Sequence, residues 1–391
     1  MLGSGILRNA LCFLWLAAAV LLAQAQTSRT DSAVAYLERG NALLARGELS
    51  RAIADYDLAI KSDPQIATAY YNRGLARQRL GDIAGALRDY DRAIELNPRY
   101  AYAYLNRGAL TAAQGQVSAA INDFNKAIEI NPRDALAWRN RGKARNAQSE
   151  FAGAIADFSQ AVKLDARGVE AWLGRCYAHY RQGTLDSALS DCNQALKLDS
   201  HNAAAWSTRG QLYYERAALD AALADFDHAV RLAPLDPEYY KQRGVARFHL
   251  GDYDGALRDQ TQAIKLKTDF YQAWGERGMT RQIIGDFQGA LADYTQAINL
   301  NPSFADVWFN RGTYWKAKGD WQRAESDFAR TIELKPQRAD AYALRGIMRL
   351  RQGRADEAQQ DFNRCLALNP ELWQSLEKMI EETKQRVPEK W

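Results

Sequence analysis

Catalysis needs side chains that converge, and this chain of 391 residues offers few that do. His179, His201, His228 and His249 are widely spaced, with no cysteine or carboxylate at metal-ligand spacing beside them, so no metal site is assigned. The glycines follow a regular interval and form no phosphate-cradling loop. Acidic residues are common, but no segment departs enough from its neighbours to enclose an acid–base pair. The expectation is a non-enzymatic chain with no catalytic residue and no cofactor. Two sets of residues do invite chemistry. Cys176 and Cys192 are placed either to form a disulfide or to offset each other in volume inside one helix pair. Arginine and aspartate recur in strict columns, among them Arg73 with Asp89, Arg107 with Asp123 and Arg277 with Asp293. They are read as a ladder of bidentate ion pairs that fixes geometry, against the alternative of two solvated columns.

The elements that hold these residues are copies of one unit. In Ala67 to Tyr100 a first helix ends at Gly81-Asp82, where glycine tolerates a left-handed turn, and a second ends at Asn97-Pro98. The second helix carries Ile83, Ala86, Leu87, Tyr90, Ala93 and Ile94 on one stripe, too much apolar surface for a single hairpin to cover. The unit recurs every 34 residues without insertion, so neighbours supply the cover. Ten units are read over 33–372: 33–66, 67–100, 101–134, 135–168, 169–202, 203–236, 237–270, 271–304, 305–338 and 339–372. An aromatic stands in the fourth place of each, arginine in the seventh, alanine in the twentieth and aspartate in the twenty-third. Glycine holds the eighth place in every unit but the one with Cys176. The aromatic of the fourth place is expected to fill the gap beside the small residues. After the last unit, 373–387 forms a capping helix whose apolar face is Leu372, Trp373, Leu376, Met379, Ile380 and Thr383.

Trp308-x-x-Arg311-Gly312-x-x-Trp315, then Ala324-x-x-x-Phe328 and Pro336, resembles the signature of the tetratricopeptide repeat family. The resemblance implies an all-α fold, a right-handed α-solenoid (superhelix) of stacked antiparallel helix pairs whose inner groove holds proteins or peptides. It departs from the family in placing arginine where leucine is usual at the seventh place. The family's clamp for a peptide carboxylate is not reproduced, because Leu37, Tyr102 and Asn106 stand where its basic residues belong.

The resemblance also assigns the second, fifth, ninth, twelfth and thirteenth places to the groove, and there the units differ. Tyr180, Tyr214 and Phe248 share the twelfth place of successive units, with Tyr177, Arg181 and His249 beside them and Arg139, Lys143 and Asn146 as a polar, basic edge. This is read as a platform for a peptide. The alternatives are that the rings pack on one another, or that they stack on an envelope glycan or exopolysaccharide, which would make the chain a carbohydrate-binding module.

The 51 basic and 47 acidic residues are interspersed, which gives no support to nucleic acid binding. Arg8, the apolar run Leu11 to Leu22 and Ala23-Gln24-Ala25 are read as a signal peptide, 1–25, cleaved after Ala25. An uncleaved anchor is the alternative, although the run is shorter than the ~20 residues of a membrane span. A polar leader, 26–32, follows. The expectation is an exported scaffold, periplasmic or extracellular, with no integral span after cleavage; self-association is left open.

Overall fold

The structure is a computed structural model describing residues 31–386. The expected signal segment, most of the leader and residue 387 of the expected capping helix lie outside the described residues. Among the described residues all regular structure is helical, and no helix is long and apolar enough to cross a membrane. The chain forms two compact units that meet between Leu198 and Asp199 in the sequence.

The first unit holds five hairpins: α1 (31–45) with α2 (Leu49–Ser62), α3 (Ala67–Arg79) with α4 (Ile83–Leu96), α5 (Ala101–Ala113) with α6 (Val117–Ile130), α7 (Ala135–Ala147) with α8 (Phe151–Leu164), and α9 (Val169–Gln182) with α10 (Leu185–Leu198). The second holds α11 (Ala203–Glu215) with α12 (Leu219–Leu232), α13 (Pro237–His249) with α14 (Tyr253–Leu266), α15 (Tyr271–Ile283) with α16 (Phe287–Leu300), α17 (Ala305–Lys318) with α18 (Trp321–Leu334), and α19 (Ala339–Arg351) with α20 (Ala355–Leu368). A 3-10 turn (Pro370–Leu372) leads into α21 (Trp373–Arg386). Within each compact unit, a hairpin's second helix packs on the next hairpin's first, and successive first helices touch, so the first helices line one face.

Close approach inside a hairpin is set by the eighth place. A Cβ built on Gly74 would lie 2.8 Å from the Tyr90 ring, and one on Gly210 would lie 2.7 Å from the Phe226 ring, so only glycine fits. The ring that fills this space comes from the twenty-fourth place, which corrects the role expected of the fourth. The fourth-place aromatics are half-buried and cover the ladder arginines, with Trp138 4.8 Å from Arg141 and Tyr70 5.4 Å from Arg73, ring centroid to guanidinium carbon. Trp138 also donates its indole N–H to the Pro132 carbonyl at 2.9 Å, and Trp308 does the same to Pro302 at 2.9 Å. An amphipathic ring thereby serves as lid and latch together.

Beneath those rings lies the charge ladder. Arg73 donates Nε to Asp89 Oδ2 at 3.0 Å and Nη2 to Oδ1 at 2.6 Å. The same fork joins Arg107 to Asp123 at 2.9 and 2.6 Å, and Arg277 to Asp293 at 2.9 and 2.8 Å. The aspartates are buried, so each is held by charge-assisted bonds in a place where an unpaired carboxylate would be costly. The remaining guanidinium nitrogen often reaches the preceding hairpin, as in Arg107 Nη1 to Asp91 at 2.7 Å. One side chain thus ties two helices and two hairpins.

Cys176 and Cys192 form a disulfide with a Cα–Cα separation of 5.5 Å. It joins the places that hold glycine and a ring in neighbouring hairpins. Cys365 is buried as a free thiol, its pKa raised by desolvation. On the last hairpin, α21 buries Leu376 and Thr383, and Leu376 joins Ile347 and Met348 in one apolar cluster. Trp373, expected on that apolar face, is instead exposed at 55% because it sits at the helix start, before the face meets α19.

Candidate functional site

The face of first helices offers a different set of side chains in each compact unit. In the first, the fifth place of α7 is Arg139, which reaches across to Glu170 of α9 at 2.5 Å, while its Nε is enclosed without a partner. One turn on, Lys143 has its pKa lowered by desolvation and then by the Arg139 charge. Asn146 donates to the Gly174 carbonyl at 3.1 Å and keeps its side-chain oxygen enclosed and unpaired. These three residues are brought together along one helix. Beside them an open cleft of about 290 Å³ is lined by Ala109, Ala112, Val117, Phe124 and Lys143, where two alanines on the face of α5 leave space.

On α9, Arg181 Nη1 donates to the Tyr177 hydroxyl at 2.7 Å, and its guanidinium lies 4.9 Å from the Phe151 ring centroid. Tyr177 is exposed and Tyr180 is half-buried one turn away. In the second unit, Tyr214 and Phe248 are both half-buried and both meet the exposed His249 ring, at 5.5 and 5.4 Å between centroids. The structure therefore places Tyr180 in one compact unit and Tyr214 with Phe248 in the other, and the latter two are joined through His249.

A polar cluster on α11, α13 and α15 was not legible from the repeat. Lys241 pairs with Glu238 at 2.5 Å, Ser207 donates to Gln242 at 2.6 Å, and both Ser207 and Gln242 are buried. Facing them, Glu276 has Oε2 enclosed with no hydrogen-bond partner. Desolvation pushes its pKa up to about 8, opposed by Lys241 and reinforced by Glu238. The one irregularity in the sequence nearby is Gly275, the single glycine among the ten fifth places, which faces Phe304 and Val307.

Within each compact unit the first helices present donors and rings on a frame locked by the ladder beneath, and the second unit adds the Glu276 carboxyl with its pKa raised by burial. Among the described residues no group of His, Cys, Asp and Glu could hold a metal ion. Within each compact unit the arrangement suits contact with an extended ligand along the first helices.

Sequence models of the tetratricopeptide repeat match this chain at 40–81, 111–148 and 283–318 (TPR repeat), at 67–100 (tetratricopeptide repeat), and at 139–205, 207–269 and 316–372 (tetratricopeptide repeat). No curated protein matches it. Among solved structures, it is similar to Cut9–Hcn1 of an APC/C hetero-tetramer, at 13% identity over 95% of this chain and 95% of that one, with a TM-score of 0.57. It is also similar to a tetratricopeptide repeat protein from Parabacteroides merdae, at 20% identity over 64% of this chain and 99% of that one, with a TM-score of 0.51. At these identities the likeness is one of fold.

Proposed function

The chain belongs to the tetratricopeptide repeat family, and from that premise we propose that it is a non-enzymatic scaffold of the cell envelope that holds a protein or peptide along its row of first helices. The observation that carries this reading is the contrast between frame and face. The ladder repeats with one geometry from Arg39–Asp55 to Arg345–Asp361, whereas the face above it changes from hairpin to hairpin and presents Tyr177, Arg181, Tyr214, Phe248 and His249. A constant frame under a varied face is what selective recognition requires.

Export is part of the proposal. Its support is the apolar run before Ala25 and the Cys176–Cys192 disulfide, which persists in an oxidising compartment. Purification of the secreted form and sequencing of its N-terminus should give Gln26 as the first residue. Affinity capture from envelope extract, repeated with Tyr177, Tyr214 and Phe248 changed to alanine, tests the face. Loss of the captured protein supports the reading; an unchanged set of captured proteins would remove it.

A further inference from the structure

The cations on the face of first helices are mostly spoken for: Arg139 by Glu170, Arg181 by Tyr177 and Lys241 by Glu238. Lys316 and Arg351 are different. They occupy the twelfth place of α17 and the thirteenth of α19, and among the described residues neither makes an ion pair; Arg351 rests on the Trp321 ring at 5.4 Å. Both line a pocket of about 330 Å³ that α21 closes from the side with Met379, Glu382 and Thr383. Burial lowers the Lys316 pKa first and the neighbouring Arg351 charge lowers it further, while Glu382 raises it, so the two cations share one recess with a single carboxylate at its rim.

We propose that this pocket binds a small apolar monocarboxylate, whose carboxylate lies between Lys316 and Arg351 and whose hydrocarbon body rests on Trp321 and Met379. Charge selects the anion. Two cations and the rim carboxylate of Glu382 sum to one positive charge, which matches a monoanion better than a phosphate dianion. Shape selects the body. The recess is larger than a carboxylate needs, and Trp321 and the adaptable Met379 supply its accessible apolar wall over the buried Ile347 and Met348. The site owes its closure to α21, which is not part of the repeat; it shares the face of first helices with the partner surface proposed above but uses none of the residues named there.

The test is calorimetric titration of the full chain with phenylacetate, phenylacetamide and phenyl phosphate. Phenylacetate should bind about tenfold more tightly than the amide, which keeps the ring and loses the charge, and more tightly than the phosphate. Lys316→Met and Arg351→Met should each weaken phenylacetate about tenfold. Glu382→Gln should bring phenyl phosphate closer to phenylacetate. Met379→Trp fills the recess without removing either cation and should abolish binding, with circular dichroism confirming the fold of each variant. Equal affinity for acid and amide, unchanged binding in Met379→Trp, or no heat with phenylacetate at about 5 mM would overturn the assignment.

Discussion

Hairpin α9–α10 and the region α13–α15 meet one packing requirement in opposite ways. Most hairpins bury a ring from the twenty-fourth place against glycine in the eighth, as Phe158 does on Gly142. In α9–α10 both places are cysteine and the contact is covalent. In α13–α14 the glycine stays as Gly244, but Gln260 replaces the ring, fully buried, giving Nε2 to Thr280 at 2.9 Å and leaving its oxygen unpaired. Thr280 in turn donates to the backbone carbonyl of Glu276, the residue with the enclosed carboxyl oxygen. The lesson is that the repeat tolerates loss of its central ring where a bond or a polar relay replaces it. Among the described residues the covalent replacement leaves no enclosed atom unpaired, and the polar one leaves the Gln260 oxygen.

The largest effect should come from the ladder where it differs between these regions. Asp259 accepts from both Arg243 and Arg247, whereas Asp191 accepts from Arg175 and has only His179 at 4.0 Å as its second neighbour. Asp259→Ala should cost about 3–5 kcal/mol by removing a buried carboxylate that accepts from two arginines, even though Arg243 keeps Asp227 at 2.8 Å, and Asp191→Ala distinctly less. Chemical denaturation of the two variants decides it, and equal costs would break the distinction.

Next is the disulfide. Reduction should lower the stability of α9–α10 by about 3 kcal/mol, given the separation of 16 residues between its cysteines. Hydrogen exchange with and without reductant should show this in α9–α10 and not in α13–α14. The double change Cys176→Gly with Cys192→Phe, which restores the neighbours' solution, should remove the sensitivity.

Glu276 supplies a pH test. Its pKa is raised on folding, so the folded chain binds that proton more tightly than the unfolded one. The corresponding stability is fully present below the ordinary carboxyl value of 4.5 and is lost as pH rises through about 8. Glu276→Gln should remove this slope, a difference of roughly 2 kcal/mol by pH 9, set below the full shift because part of the side chain reaches solvent. A wild-type profile parallel to that of the variant would refute the neutral carboxyl. The smallest change is Gln260→Phe, expected to raise stability by about 1 kcal/mol as apolar burial replaces an unpaired amide. Thr280 keeps its bond to the Glu276 carbonyl in that variant. A loss of stability would mean that the amide relay outweighs the ring.

Sequence periodicity made the helix hairpins and the Arg–Asp columns legible, because both depend on spacing along the chain. The second arginine was harder. Arg77, Arg145 and Arg247 share the eleventh place, but only folding brings each within 2.8 Å of the aspartate already held by its neighbour. Of the site residues, the pairing of Arg139 with Glu170 and of Arg181 with Tyr177 joins side chains on a face where every unit differs, so no column announces them.

By itself the sequence determined what is local and repeated: where helices stop, which positions must be small, and which charges recur. At Ser149 and Ala217 it even replaced the turn glycine, and the backbone still takes φ of 62° and 56°, because the flanking helices dictate the turn. Tertiary structure alone decided which ring covers which glycine, that the two cysteines bond, that Glu276 Oε2 is enclosed, and that α21 lines the recess of Lys316 and Arg351. These depend on desolvation and on distances between separate helices, and neither quantity is a property of spacing along one chain.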